Sequence, residues 1–167
     1  MTPDHDTEHD GDHDDGTLAT DRILVRELRA ADLAAIVKID KASTGLTRQD
    51  YYAAKVRTAL NEPGVRTSLV AEEDGHVVGF LLVRVFYGEF GRAEPAAFID
   101  SVGVGPAFRG RHVGQALLRQ LVLNLRALHV ERVETLVGWS QLDLLAFVSR
   151  NGFRPAARVC VELRLDG

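Results

Sequence analysis

Residues 102–115 read Val-Gly-Val-Gly-Pro-Ala-Phe-Arg-Gly-Arg-His-Val-Gly-Gln. Upstream, Ala96 to Val104 alternates as a strand does, with Phe98, Asp100, Val102 and Val104 expected on one face. Downstream, Val113, Leu117, Leu118, Leu121, Leu125 and Leu128 fall on one stripe of a long amphipathic helix. The stretch is therefore a strand, a glycine-rich turn and a helix start. The first amides of a helix have no intrahelical acceptor, and the helix dipole is positive there. Small residues let an anion approach the backbone, and Arg109 and Arg111 add charge. The arrangement suits a phosphate or pyrophosphate.

Two common phosphate binders are excluded by particular residues. Gly105 and Gly110 have the spacing of a nucleoside-triphosphate loop, but Arg111-His112 follows where Lys and then Ser or Thr are required. A dinucleotide fingerprint fails because Phe108 occupies the third glycine position.

Working outward, strand and helix patterns alternate. Ile23 to Leu28 reads as a strand, and Asp32 opens a helical series through Leu33, Ile36, Val37 and Ile39. Gln49 to Leu60 predicts a second helix, ended by Asn61-Glu-Pro-Gly64. Thr67 to Glu72 and His76 to Val85 flank Asp74-Gly75, a hairpin signal because both residues tolerate positive φ. Glu131 to Val137 predicts a strand, Leu142 to Arg150 a short helix, and Phe153 to Leu165 a last strand. The expected fold is α/β (α+β), with six or seven strands and about four helices.

The 167 residues are 46% apolar, enough for one domain with a single core. Residues 1–21 hold eight acidic side chains and no Lys or Arg, which leaves residues 22–167 a net charge of +4. The acidic stretch is almost free of apolar side chains and is expected to be a disordered tail, with 22–167 as the domain. Its His5, His9 and His13 alternate with Asp but have nothing to fix them as ligands, so no metal is expected. No run approaches the length of a membrane span, and no basic-then-apolar secretory signal is present, so a cytoplasmic protein without a membrane partner is expected. The 17 Arg and 3 Lys are scattered without interleaved aromatics, which argues against nucleic acid. Cys160, the single cysteine, lies between valines and is expected to be buried and inert.

Val104-x-Pro-x-Phe-Arg109-Gly-Arg-His-Val-Gly114 resembles the acetyl-CoA signature of the GNAT superfamily of N-acetyltransferases, in which Arg or Gln precedes x-x-Gly-x-Gly or Ala. The element order fits over residues 22–165, and Gly152-Phe153 leads the last strand. The resemblance implies a mixed, mostly antiparallel sheet and acetyl-CoA as cosubstrate. It places the pyrophosphate on the amides of Arg111, His112, Val113, Gly114 and Gln115, beside Arg109 and Gly110. The pantetheine arm would add alongside Val102, Gly103 and Val104 like a further strand, admitted where the signature strand and the next one splay. Leu144 and Phe147 would flank the arm. Thr44, Gly45, Tyr51 and Tyr52 occupy the region that shapes the acceptor pocket in the family, and dimers are common there, so a homodimer is compatible.

Two positions depart from the signature. His112 stands where Gly is usual, and a side chain there is strained if φ must be positive. Val148 stands where many members carry a Tyr that protonates the leaving thiolate, with Ser149 or water as substitutes. The chemistry implied is transfer of an acetyl group to a primary amine of a small molecule, peptide N-terminus or lysine, by direct attack in a ternary complex. A lysine-like amine is neutral in only about 0.04% of molecules at pH 7, so a proton acceptor is required. Asp100, a carboxylate in an apolar run, is either that base or a structural group with partners of its own; Glu94 and Glu89 lie near it in sequence. A non-catalytic acyl-CoA-binding module on the same fold is the alternative.

Overall fold

The structure, a computed structural model, describes residues 23–61, 66–88, 91 and 93–165. The acidic tail with its three histidines and Glu89 lie outside these residues. The described chain divides into two compact units, one ending at Thr135 and one beginning at Leu136.

The first unit runs β1 (Leu24–Glu27), a 3-10 turn (Ala30–Asp32), α1 (Leu33–Thr44), α2 (Gln49–Asn61), β2 (Leu69–Glu73), β3 (His76–Phe86), β4 (Ala96–Val104), a second 3-10 turn (Pro106–Phe108), α3 (Val113–Ala127) and β5 (Arg132–Thr135). The sheet order is β1-β2-β3-β4-β5, antiparallel except for the parallel pair β4 and β5. The β2–β3 connection is the expected one, with Asp74 at φ +51° and Gly75 at φ +76°.

Helices cover both faces of the sheet. Ile36, Val37 and Ile39 of α1 and Tyr52 and Val56 of α2 pack on Leu28, Val70, Phe80 and Leu82. On the opposite face, α3 buries Val113, Leu117, Leu118, Leu121 and Leu125. It approaches so closely that a Cβ on Gly79 would stand 2.7 Å from Val113 Cγ1. The helical stripe read from the sequence is thus the buried one, with Leu128 half-buried at its end.

Four expectations are corrected. The sheet has five strands among the described residues, not six or seven. Residues 153–165 form no strand: Val159, Val161, Leu163 and Leu165 alternate as predicted, yet each is at least 84% exposed. A strand needs a neighbouring backbone to bond, and α4 (Leu142–Arg150) is the only regular element described in the second unit. Cys160 is exposed as a consequence. Finally, β4 does not keep one face through Phe98, Asp100, Val102 and Val104. Its register to β3 steps from Val83↔Ile99 to Leu82↔Ser101, so Asp100 is the extra residue of a bulge. Phe98 and Gly103 therefore share the face of Arg84 and Phe80, toward α1 and α2, while Val102 and Val104 share that of Ile99.

Candidate active site

The turn after β4 is closed by backbone bonds. Gly105 N donates to Val78 O at 2.8 Å, and Phe108 N to Gly105 O at 2.8 Å. Gly110 then takes φ +75° and His112 φ +61° with ψ 10°, both left-handed. The carbonyl of His112 accepts from Ala116 N at 2.9 Å, which makes His112 the N-cap of α3. No side chain caps this helix. The amides of His112, Val113, Gly114 and Gln115 are thus the ones lacking acceptors within the helix. Arg111 N already donates to Phe108 O at 3.4 Å, which narrows the expected run of free amides.

The two arginines of the turn have partners in the protein. Arg109 donates to Ser43 Oγ at 3.0 Å, and Arg111 binds Glu73 Oε1 at 2.7 Å with its guanidinium 5.4 Å from the Phe108 ring. His112 is in the strained region that its side chain makes costly, by about 1 kcal/mol. Its Nδ1 lies 2.6 Å from Gln115 Oε1, so the ring is held over the first turn of α3.

Beside this helix start, β4 has an open edge. It pairs with β3 from Ala96 to Val104, but with β5 only from Ala96 to Ile99. Residues 100–104 have no ladder partner on the β5 side among the described strands. Gly103 within this edge is required by packing, because a Cβ there would meet the Phe80 ring at 2.5 Å.

Asp100 opens the free edge and is engaged. Lys55 Nζ binds its Oδ2, Ser101 Oγ donates to the same oxygen at 3.1 Å, and Arg84 NH2 stands 3.7 Å from Oδ1. Lys55, Arg84 and Asp100 line an open cavity of about 220 Å³ between α2 and strands β3 and β4. Lys55 and Arg84 escaped the sequence reading. The signal for Arg84 was a lone arginine in the strand His76–Phe86, which is otherwise almost wholly apolar; for Lys55 there was none. Glu94, by contrast, is half exposed and lies 3.6 Å from Arg132.

The residues expected at the acceptor side differ in their surroundings. Gly45, at φ +76°, caps α1 through its N–H to Lys41 O at 2.8 Å, and Thr44 Oγ1 donates back to Asp40 O in the last turn at 2.9 Å. Tyr52 is 3% exposed and belongs to the core. Its hydroxyl donates to Asp40 Oδ1 at 3.0 Å, and burial, followed by that contact, pushes its pKa upward. Arg48 also binds Asp40, and its hydrogen bond is the main reason the Asp40 carboxyl lies below the usual carboxylate range. Tyr51 is the exposed member of the pair, with Lys55 Nζ 4.7 Å from its ring.

In the second unit, Leu144 and Phe147 of α4 are half-buried and Ser149 is exposed. Ser149 O accepts from Gly152 N at 3.1 Å, and Val148 O from Phe153 N at 3.0 Å, closing the helix with Gly152 at φ +86°. Trp139 is exposed.

No helix among the described residues is long and apolar enough to cross a membrane. No curated protein matches the chain. Solved structures share its fold. An aminoglycoside N-acetyltransferase, AAC(6')-Iy, in complex with CoA superposes with a TM-score of 0.72 at 18% identity, covering 86% of this chain and 95% of that one. A ribosomal-protein-alanine N-acetyltransferase from Brucella melitensis gives 0.67 at 16%, covering 86% and 99%. A transcriptional regulator from Bacillus halodurans gives 0.71 at 19%, also covering 86% and 99%. At these identities the likeness is one of fold. The profile of the acetyltransferase (GNAT) family matches residues 33–153. With well over half of the sequence matched, and the uncapped helix start beside the open strand edge lying inside the match, the chain belongs to the GNAT acetyltransferase family.

Proposed function

We propose that the protein is an acetyl-CoA-dependent N-acetyltransferase that moves the acetyl group to a primary amine in a ternary complex. The observation that carries this is the junction of an uncapped helix N-terminus with a stretch of β4 that has no described strand on its β5 side. The amides of Val113, Gly114 and Gln115 fit a pyrophosphate by donor type and dipole sign. The free backbone at Val102, Gly103 and Val104 fits an arm that bonds as a strand does. Acetyl-CoA supplies the thioester. The amine nitrogen attacks its carbonyl carbon, the C–S bond breaks, and the thiolate leaves, while a backbone N–H on the bulged edge polarises the carbonyl oxygen.

Proton traffic is shared out differently from the simplest expectation. Both oxygens of Asp100 already face cations or a hydroxyl, so we assign it to holding Lys55 and balancing the charge of Arg84, and water to collecting the amine proton. Val148 has no proton to give, and the thiolate takes one from water. A thiol of pKa about 8.5 leaves without a dedicated acid.

The same absence of a tyrosine at Val148 favours a second reading, a module that binds acyl-CoA without turnover. Calorimetric titration with acetyl-CoA, with CoA and ATP as controls, tests both. Micromolar binding of acetyl-CoA but not ATP is expected. Gly114→Glu should weaken it by about tenfold or more at unchanged melting temperature, by setting a carboxylate at the helix start. Acetylation of any amine in a panel of peptides, polyamines and amino acids excludes the non-catalytic reading. Absence of acetyl-CoA binding overturns both.

A further inference from the structure

The cavity beside Asp100 is lined by Ala54, Lys55, Thr58, Leu82, Arg84 and Asp100, among others. At about 220 Å³ it is sized for a small polar group rather than a nucleotide. Two cations face one carboxylate, so the lining keeps one positive charge in excess. Lys55 is the cation that Asp100 holds directly. Arg84 is not held in the same way. Its NH2 stands 3.7 Å from Asp100 Oδ1, beyond hydrogen-bond reach, and its buried Nε has no hydrogen-bond partner among the described residues. Buried donors without acceptors are rare in folded proteins. What fixes the guanidinium is stacking, at 5.2 Å from the Phe86 ring centre and 6.0 Å from that of Phe98.

An arginine held by aromatic rings, with donors unspent, at the wall of a cavity with surplus positive charge is suited to a carboxylate. The cavity also reaches Asp100, the first residue of the open β4 edge, so a group bound in it lies next to the backbone proposed to hold the thioester arm. We infer that this cavity binds a carboxylate of the acceptor. The preferred substrates are then amines that also carry a carboxylate, such as a free amino acid or an acidic peptide N-terminus. Arg84 sets this specificity, and Asp100 holds Lys55 at the same wall. The inference rests on the acetyl-transfer reading for the word acceptor, but not for the anion site itself.

The test separates the two. Glutarate, glutaramide and inorganic phosphate are titrated into the full-length protein by calorimetry, which needs no turnover. Glutarate is expected to bind about tenfold or more tightly than uncharged glutaramide, and Arg84→Met to remove that preference. Equal binding of the two, or an unchanged preference in Arg84→Met, overturns the site. Phosphate binding more tightly than glutarate overturns the carboxylate assignment in favour of a phosphate monoester. Should Arg84→Met fail to fold, Thr58→Phe at the exposed mouth keeps both cations and must abolish glutarate binding; retention of binding overturns the proposal. In turnover, amines differing only in a free or amidated carboxylate should separate by about tenfold in KM, with kcat within about threefold. If glutarate binds and no amine is acetylated, the transfer reading fails and the carboxylate site stands.

Discussion

Asp100 neutralises two cations that come from different elements, Lys55 on α2 and Arg84 on β3. Removing its charge leaves both facing the cavity without an anion. Asp100→Asn is expected to cost about 1–2 kcal/mol, less than a fully buried pair because Arg84 is partly in water. Thermal melting with and without acetyl-CoA checks this: the melting temperature should fall while coenzyme affinity stays within about twofold. A fall in kcat at unchanged melting temperature would give Asp100 the proton-transfer role instead. What the sequence displays at this position is only the oddity of a carboxylate in an apolar run. Its partners sit on other elements, and no spacing encodes them. His112 shows the same limit, since the cost of its side chain depends on a φ that becomes known only with the turn built around it.

Among the elements, β4 is the most constrained. It pairs with β3 over its whole length, carries a bulge at Asp100, and admits the Phe80 ring against Gly103. Gly103→Ala is expected to cost about 1–3 kcal/mol, because the added methyl meets that ring at 2.5 Å and the ring is locked in the core. Urea denaturation should show a lower midpoint at unchanged slope. Helix α3 was legible because six apolar residues repeat at its own period, and the β2–β3 hairpin because Asp74-Gly75 suits positive φ at both positions. The bulge was not legible, since an insertion in one strand is defined by the residues opposite it. Residues 153–165 fail for a related reason: alternation says which side chains share a face, but not whether a neighbouring backbone is present to bond.

Over the whole molecule, stability should depend on acid through two buried carboxylates. Burial pushes Asp32 up, but hydrogen bonds from Arg26 and the Arg29 amide outweigh it and hold the carboxyl below its usual range. Asp40 is lowered chiefly by Arg48. A carboxyl whose folded pKa is depressed contributes stability that is complete above its unfolded value, about pH 4, and lost as pH falls through the folded one. The melting temperature should therefore change little from pH 7 to 5 and drop below about pH 4, with a shallower drop in Asp40→Asn. Arg26 has a further consequence. From β1 it binds Glu72 on β2 through Nε at 2.8 Å and Asp32 at the foot of α1 through both terminal nitrogens at 2.8 Å, and Asp32 in turn accepts from Arg29 N at 2.7 Å. The outermost strand and the first helix are thereby riveted to one another. In hydrogen exchange, the amides of residues 24–27 should not fray ahead of α1; the two should exchange together, as one opening event of the sheet edge.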